Sequence, residues 1–206
     1  MVSRFSSITS SAGRCSQAWR LLLAAVLLAM PLLADVCVWR DPERAMQKIF
    51  PAARDYKTTT VKFTPENVGA IEKELGSKID EPSQGGEFNF YDIIGAVGGK
   101  PHKLGTIIAL AGKGEYGVIE VVIGVDGAGK IVGSYIQRSR ERVTKELESP
   151  AFLGQFKGKT RTDSFEVGSA VKPESADAAD ASRTVAFVIK KMLVFNHILN
   201  QGEKNP

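Results

Sequence analysis

The sequence predicts an α+β fold: an antiparallel sheet meander with helices packed on one face, preceded by a small N-terminal α/β lobe and a signal or anchor segment. Three observations carry this. From Phe88 onward "FNFYDIIGAV", "KLGTIIALA", "YGVIEVVIGV" and "KIVGSYIQ" are β-rich runs with only glycine-containing breaks between them. A parallel return needs a crossover of a dozen or more residues, so strands this close pair antiparallel. The two runs around "VDGAGK" are joined by a loop with Asp126, Gly127 and Gly129, a strong hairpin signal. The chain then closes with a helix whose Val185, Val188, Ile189, Met192, Leu193, Phe195 and Ile198 make a stripe broad enough to cover a sheet face.

Residues 1–39 read as an export signal or membrane anchor. Arg4, Arg14 and Arg20 occur with no acid in the first 34 residues, ahead of the apolar run Leu21 to Ala34. That run is short for a membrane span, although "VCVW" extends it to Trp39. Cleavage after Ala34 meets Leu32 where a small residue is preferred, so a cleaved signal and a retained anchor both stand. In either case the basic flank stays in the cytoplasm and the remainder is exported to the periplasmic side of the cytoplasmic membrane.

Residues 40–86 form the predicted lobe. In "DPERAMQKIFPAA" Asp41 can cap, Pro42 suits the first helical position, and Ala45, Ile49 and Phe50 share a face until Pro51 ends the helix. "YKTTTVKF" alternates as a strand with one solvated face. In "TPENVGAIEKELG" Thr64 caps, Pro65 enters, Val68, Ile71 and Leu75 recur at helical spacing, and Gly76 stops the helix. The Pro- and Gly-containing "KIDEPSQGGE" is a loop before the second domain, residues 87–200. There "QRSRERVTKELESP" reads as charged and exposed, while "SPAFLGQFKGK" reads as a short helix capped by Ser149, with Phe152, Leu153 and Phe156 facing the sheet.

The formal charge of +4 includes the three leader arginines, so the exported part carries +1, a balance that does not call for nucleic acid. Cys15 lies in the leader and Cys37 at the edge of the apolar segment, so no disulfide between them is expected, and "LLADVC" lacks the small residue that precedes a lipidated cysteine. Haem-attachment and zinc-type spacings are absent, and His102 and His197 stand alone. "GAVGGKPHK" lacks the ending of a phosphate loop and reads as a turn. With no nucleophile, base or paired-carboxylate constellation, the chain is not expected to be an enzyme with a site of its own.

"GEYGVIEVVIGVDGAGKIVGSYIQRSRE" followed by "SPAFLGQFKGK" resembles the FMN-binding domain family, the periplasmic flavin-carrying domain of Rnf-type and sodium-pumping NADH:quinone reductase complexes and of related exported electron-transfer proteins. The upstream "PERAMQKIFPAARDYKTTTVKFTPENVGAIEKELG" is similar to the lobe of one exported branch. The resemblance implies an FMN joined through a phosphoester to a hydroxyl in a Ser-Gly-Ala-Thr-x-Ser motif just before the last helix. A helix N-terminus offers free N–H groups to such a phosphate, and glycine permits close backbone approach.

At that position this chain has "SADAADASRTVAFVIKK". Aligned on the helix, the acceptor falls on Ala179 or Ala178, which have no hydroxyl. Shifted by three residues, Ser182 becomes the acceptor and Thr184 the following hydroxyl residue, with Asp180 where the glycine belongs. Asp177 and Asp180 would place carboxylates against a phosphate, whereas as helix caps they are natural. The glycine-rich Glu-Thr-Pro-Gly-Leu-Gly segment of Rnf-like members is replaced by "SRERVTKELESP", without glycine. The expectation is therefore a domain with no cofactor, an accessory subunit of a membrane electron-transfer complex. Its partners would be the other subunits, and the membrane itself if the leader is retained. The alternative is an electron carrier that the resemblance implies would keep FMN, covalently on Ser182 with Thr184 the neighbouring hydroxyl of its site, or non-covalently.

Overall fold

The computed structural model describes residues 42–79 and 86–200. The leader, both cysteines and Asp41 lie outside the described residues, and with them the expectations about export and anchoring.

Helix α1 (Pro42–Ile49) buries Ala45, Met46 and Ile49, and Phe50 follows them into the core. Strand β1 (Asp55–Lys62) leads to α2 (Pro65–Leu75). The α2 start is fixed on both sides of its cap: Thr64 Oγ1 accepts from the Asn67 N–H at 3.3 Å, and Asn67 Oδ1 accepts from the Thr64 N–H at 2.8 Å. The helix ends at Gly76, whose φ of 68° needs a residue without Cβ.

The sheet continues with β2 (Glu87–Val97), β3 (Lys100–Lys113), β4 (Val118–Val125) and β5 (Ile131–Arg138). The spatial order is β1-β2-β3-β4-β5 and every pair is antiparallel, a plain meander as the strand spacing predicts. β1 pairs with β2 along its whole length, from Asp55 opposite Ile94 to Lys62 opposite Glu87. β1 thus shares one sheet with the strands that follow. Gly98 and Gly99, with φ of 58° and 78°, make the two-residue turn between β2 and β3. In the β4–β5 loop Asp126 Oδ1 accepts from the N–H groups of Ala128 and Lys130 at 2.8 and 2.9 Å, which holds the hairpin in register.

One sheet face is covered by α2 and by α5 (Ala179–Phe195), which meet Ile108, Leu110, Ile119, Val121 and Ile123 in a common core. Val185, Val188, Ile189 and Val194 are indifferent helix formers, costing up to about 0.7 kcal/mol each. Burial of each contributes about 1.5–3 kcal/mol, so packing, not propensity, makes α5 a helix. Its C-terminal turns widen into a π-helical segment, Asn196–Asn200, where Asn200 Nδ2 donates to Asn196 Oδ1 at 3.0 Å and Leu199 stays buried. α1 lies on the opposite face, over Ile93, Ile107, Val122 and Tyr135.

Two short helices follow the sheet, α3 (Thr144–Leu147) and α4 (Pro150–Gly154). Ser149 caps α4 as expected, accepting from the Phe152 N–H at 3.0 Å. Phe152 and Phe156 are buried and meet edge to face with centroids 5.4 Å apart. After α4, Gly158 and Lys159 bond to the free edge of β5: Ile131 N–H donates to Lys159 O at 2.9 Å, and Gly158 N–H donates to Ile131 O at 2.8 Å. That contact covers part of an edge that would otherwise offer unpaired backbone groups. Among the described residues no helix is long and apolar enough to cross a membrane.

Candidate functional site

The N-terminal end of α5 and the segment after β5 both meet one element, the β3–β4 hairpin from Lys113 to Gly117. Gly112, near the end of β3, lets α5 approach closely: a Cβ there would stand 2.6 Å from Val188 Cγ2 and 2.8 Å from Thr184 Cγ2. One residue on, the half-buried Thr184 hydroxyl donates to Lys113 O at 3.4 Å. From the other side Glu141 is only 7% exposed, and its Oε1 accepts from the Tyr116 N–H at 3.0 Å. The same oxygen lies 2.2 Å from where a Cβ on Gly114 would stand. The two segments singled out from the sequence are therefore neighbours of one turn, although 41 residues separate Glu141 from Ser182 in the numbering.

Ser182 is 0% exposed and its hydroxyl, also buried, has no hydrogen-bond partner. It sits on the core side of α5, and its N–H already donates to Ala178 O at 2.8 Å. A phosphoester on this oxygen would have to pass through packed core, and a buried phosphate without paired charge is far costlier than an orphaned hydroxyl at about 1–3 kcal/mol. Ala178, the other frame's acceptor position, is buried at the helix start, and Ala179 beside it is half-buried. Of the two hydroxyls in the shifted frame, Thr184 is the one partly open to solvent, and it is turned toward Lys113.

The acids at this mouth differ from expectation. α5 has no side-chain cap: its N-cap is Ala178, in helical conformation. The preceding turn is closed by Ser175, whose hydroxyl accepts from the Ala178 N–H at 3.2 Å. Asp180 lies inside the first turn and pairs with Arg183 one turn on. The reason is positional, since a capping carboxylate must precede the first helical residue and Asp180 follows it. The paired guanidinium also offsets part of the repulsion that Asp180 would exert on a phosphate. What opposes flavin attachment here is the missing or buried hydroxyl more than the acids.

The segment from Ser139 to Thr144 also corrects the sequence reading of an exposed stretch. Ser139 Oγ accepts from the Glu141 N–H at 3.1 Å and from Thr144 Oγ1 at 2.8 Å, and Leu147 is fully buried. A charged composition hides this, because Glu141 reads as a surface residue until its backbone partner is known. Beyond Glu141, the Arg142 guanidinium lies 4.6 Å from the Tyr116 ring centroid. The Tyr116 phenol is held above its ordinary pKa, first by its hydrogen bond to the Glu115 carboxylate and then by desolvation. Where the resemblance implies a glycine-rich segment open to a flat ring, this chain places a carboxylate and its partners.

His102 on β3 is exposed and His197 lies in the π-helical segment, far apart in the fold order. Among the described residues no group of three or more His, Cys, Asp or Glu is placed to hold a metal ion.

No family model matches the chain, and no curated protein matches it. Among solved structures it is similar to the crystal structure of one subunit of the Na(+)-translocating NADH-quinone reductase from Parabacteroides distasonis, with 19% identity, a TM-score of 0.39, and coverage of 86% of this chain and 91% of that one.

Proposed function

We propose that this chain is an exported, membrane-associated protein of FMN-binding-domain type that serves as an accessory subunit of a membrane electron-transfer complex and has lost covalent FMN. The observation that carries the proposal is Ser182: the hydroxyl that a shifted motif would use lies in the core at 0% exposure. The residues do not fit the group the resemblance implies, since the other frame offers only Ala178 and Ala179 and the adjoining turn is filled by Glu141. The meander and its covering helix supply the scaffold of such a domain, which supports retention of the fold for contacts with partner subunits. The basic, acid-free leader supports placement at the outer side of the cytoplasmic membrane.

A second reading keeps FMN, and one observation favours it: Thr184 retains a partly exposed hydroxyl beside the hairpin. In that case the chain relays electrons outside the membrane, with the redox chemistry supplied by the flavin.

Native membranes solubilised in mild detergent test the subunit role. The chain should migrate well above its own 22.2 kDa, together with quinone-linked or cytochrome-bearing subunits. Recovery of all the chain as a soluble monomer contradicts the role.

A further inference from the structure

We propose that the cleft between α1 and β5 is a binding site for a small organic carboxylate. The cleft has a volume of about 370 Å³ and is lined by Arg44 and Lys48 of α1, by Tyr135, Ile136 and Gln137 of β5, and by Glu148 and Leu153. That volume lies at the small end of the range of about 300–1,000 Å³ typical of small-molecule sites. Its lining includes none of the residues at the α5 mouth, so the inference does not depend on the fate of the flavin.

The chemistry of the lining selects the ligand. Arg44 and Lys48 are four residues apart on one helix, so their side chains emerge from the same flank, beside the buried Ala45 and Ile49. Lys48 Nζ lies 4.3 Å from the Tyr135 ring centroid, an arrangement that steadies the ammonium at the cleft wall. A guanidinium carries five donors in a planar fork, so Arg44 can serve a neighbouring group and a ligand carboxylate together. Leu153, partly exposed, gives an apolar surface for the ligand's body, and Gln137 offers a neutral amide beside it.

Glu148 decides the charge of the ligand. One carboxylate and two cations in the lining of a small cleft leave a net charge of one, which suits a monoanion and disfavours a phosphate dianion. It also accepts a hydrogen bond, so a hydroxyl or amino group on the ligand would strengthen binding. Arg44, Lys48 and Glu148 are all exposed at the cleft rim, so their substitution leaves the fold intact.

Titration calorimetry of the purified full-length chain with benzoate, its neutral isostere benzamide, and phenyl phosphate tests the proposal. Benzoate should bind saturably, and benzamide and phenyl phosphate should each bind at least about tenfold more weakly. Arg44→Gln and Lys48→Gln should each weaken benzoate binding by about tenfold, while Glu148→Gln should tighten it and narrow the gap to phenyl phosphate. Equal binding of benzoate and benzamide, wild-type affinity in both cation variants, or no saturable benzoate binding would overturn the assignment.

Discussion

Gly105→Ala is expected to lower the thermal midpoint by roughly 6–12 °C, a loss of about 3 kcal/mol or more. Gly105 lies on β3 opposite Ile93, where the β2–β3 register shifts. A Cβ there would stand 2.2 Å from Val125 O and 2.6 Å from Phe50 Cζ. The carbonyl belongs to the backbone of β4, so relief requires the strands to part. Gly124→Ala provides the contrast. Its obstacles are side chains, Ile49 Cγ2 at 2.5 Å and Phe50 Cε2 at 2.7 Å, which can shift at a cost of about 1–3 kcal/mol. Differential scanning calorimetry should therefore rank Gly105→Ala as the more damaging, with Phe50→Leu rescuing little of it. A Gly105→Ala protein as stable as the parent would mean that the β4 backbone does not approach Gly105 this closely.

Phe195→Ala should cost about 3–5 kcal/mol. Phe195 is 2% exposed and meets Phe63 and Phe88 edge to face, with centroids 5.4 and 5.2 Å away. Phe63 lies between β1 and α2, and Phe88 near the start of β2, so one side chain from the last helix joins the early chain to the sheet. Edge-to-face pairs add about 0.5–1.5 kcal/mol beyond the buried area. Denaturant unfolding should register the loss. Hydrogen exchange should quicken first in β1 and α2, whereas uniform quickening across all five strands would argue against this linking role.

Much of the architecture is written in local signals. Thr64, Pro65 and Gly76 bracket α2 within a residue, because caps and left-handed termini are set by the residues themselves. Asp126 and the following glycines mark the β4–β5 hairpin for the same reason. The partner of β1 is not written there: period-two alternation reveals a strand, but its pairing with β2 spans α2 and a loop. Nor does alternation reveal that α1 covers the face opposite α5, since both faces of these strands carry apolar residues.

At the candidate site the sequence shows which hydroxyls exist and the fold shows which can be reached. Ser182 and Thr184 differ by two residues on a helix of 3.6 residues per turn, so they point in nearly opposite directions, one to the core and one to the hairpin. Glu141 was hidden by its charge, which reads as solvation until the Tyr116 N–H is placed beside it. Asp180 likewise reads as a cap, but the helix begins one residue before it.

The most direct test of the central claim is the mass of the peptide spanning residues 175–191, released from the native chain after denaturation. The account predicts the unmodified mass and no flavin absorbance on the peptide. A peptide carrying one FMN in phosphoester linkage, on Ser182 or Thr184, would contradict it and make the chain a working electron carrier.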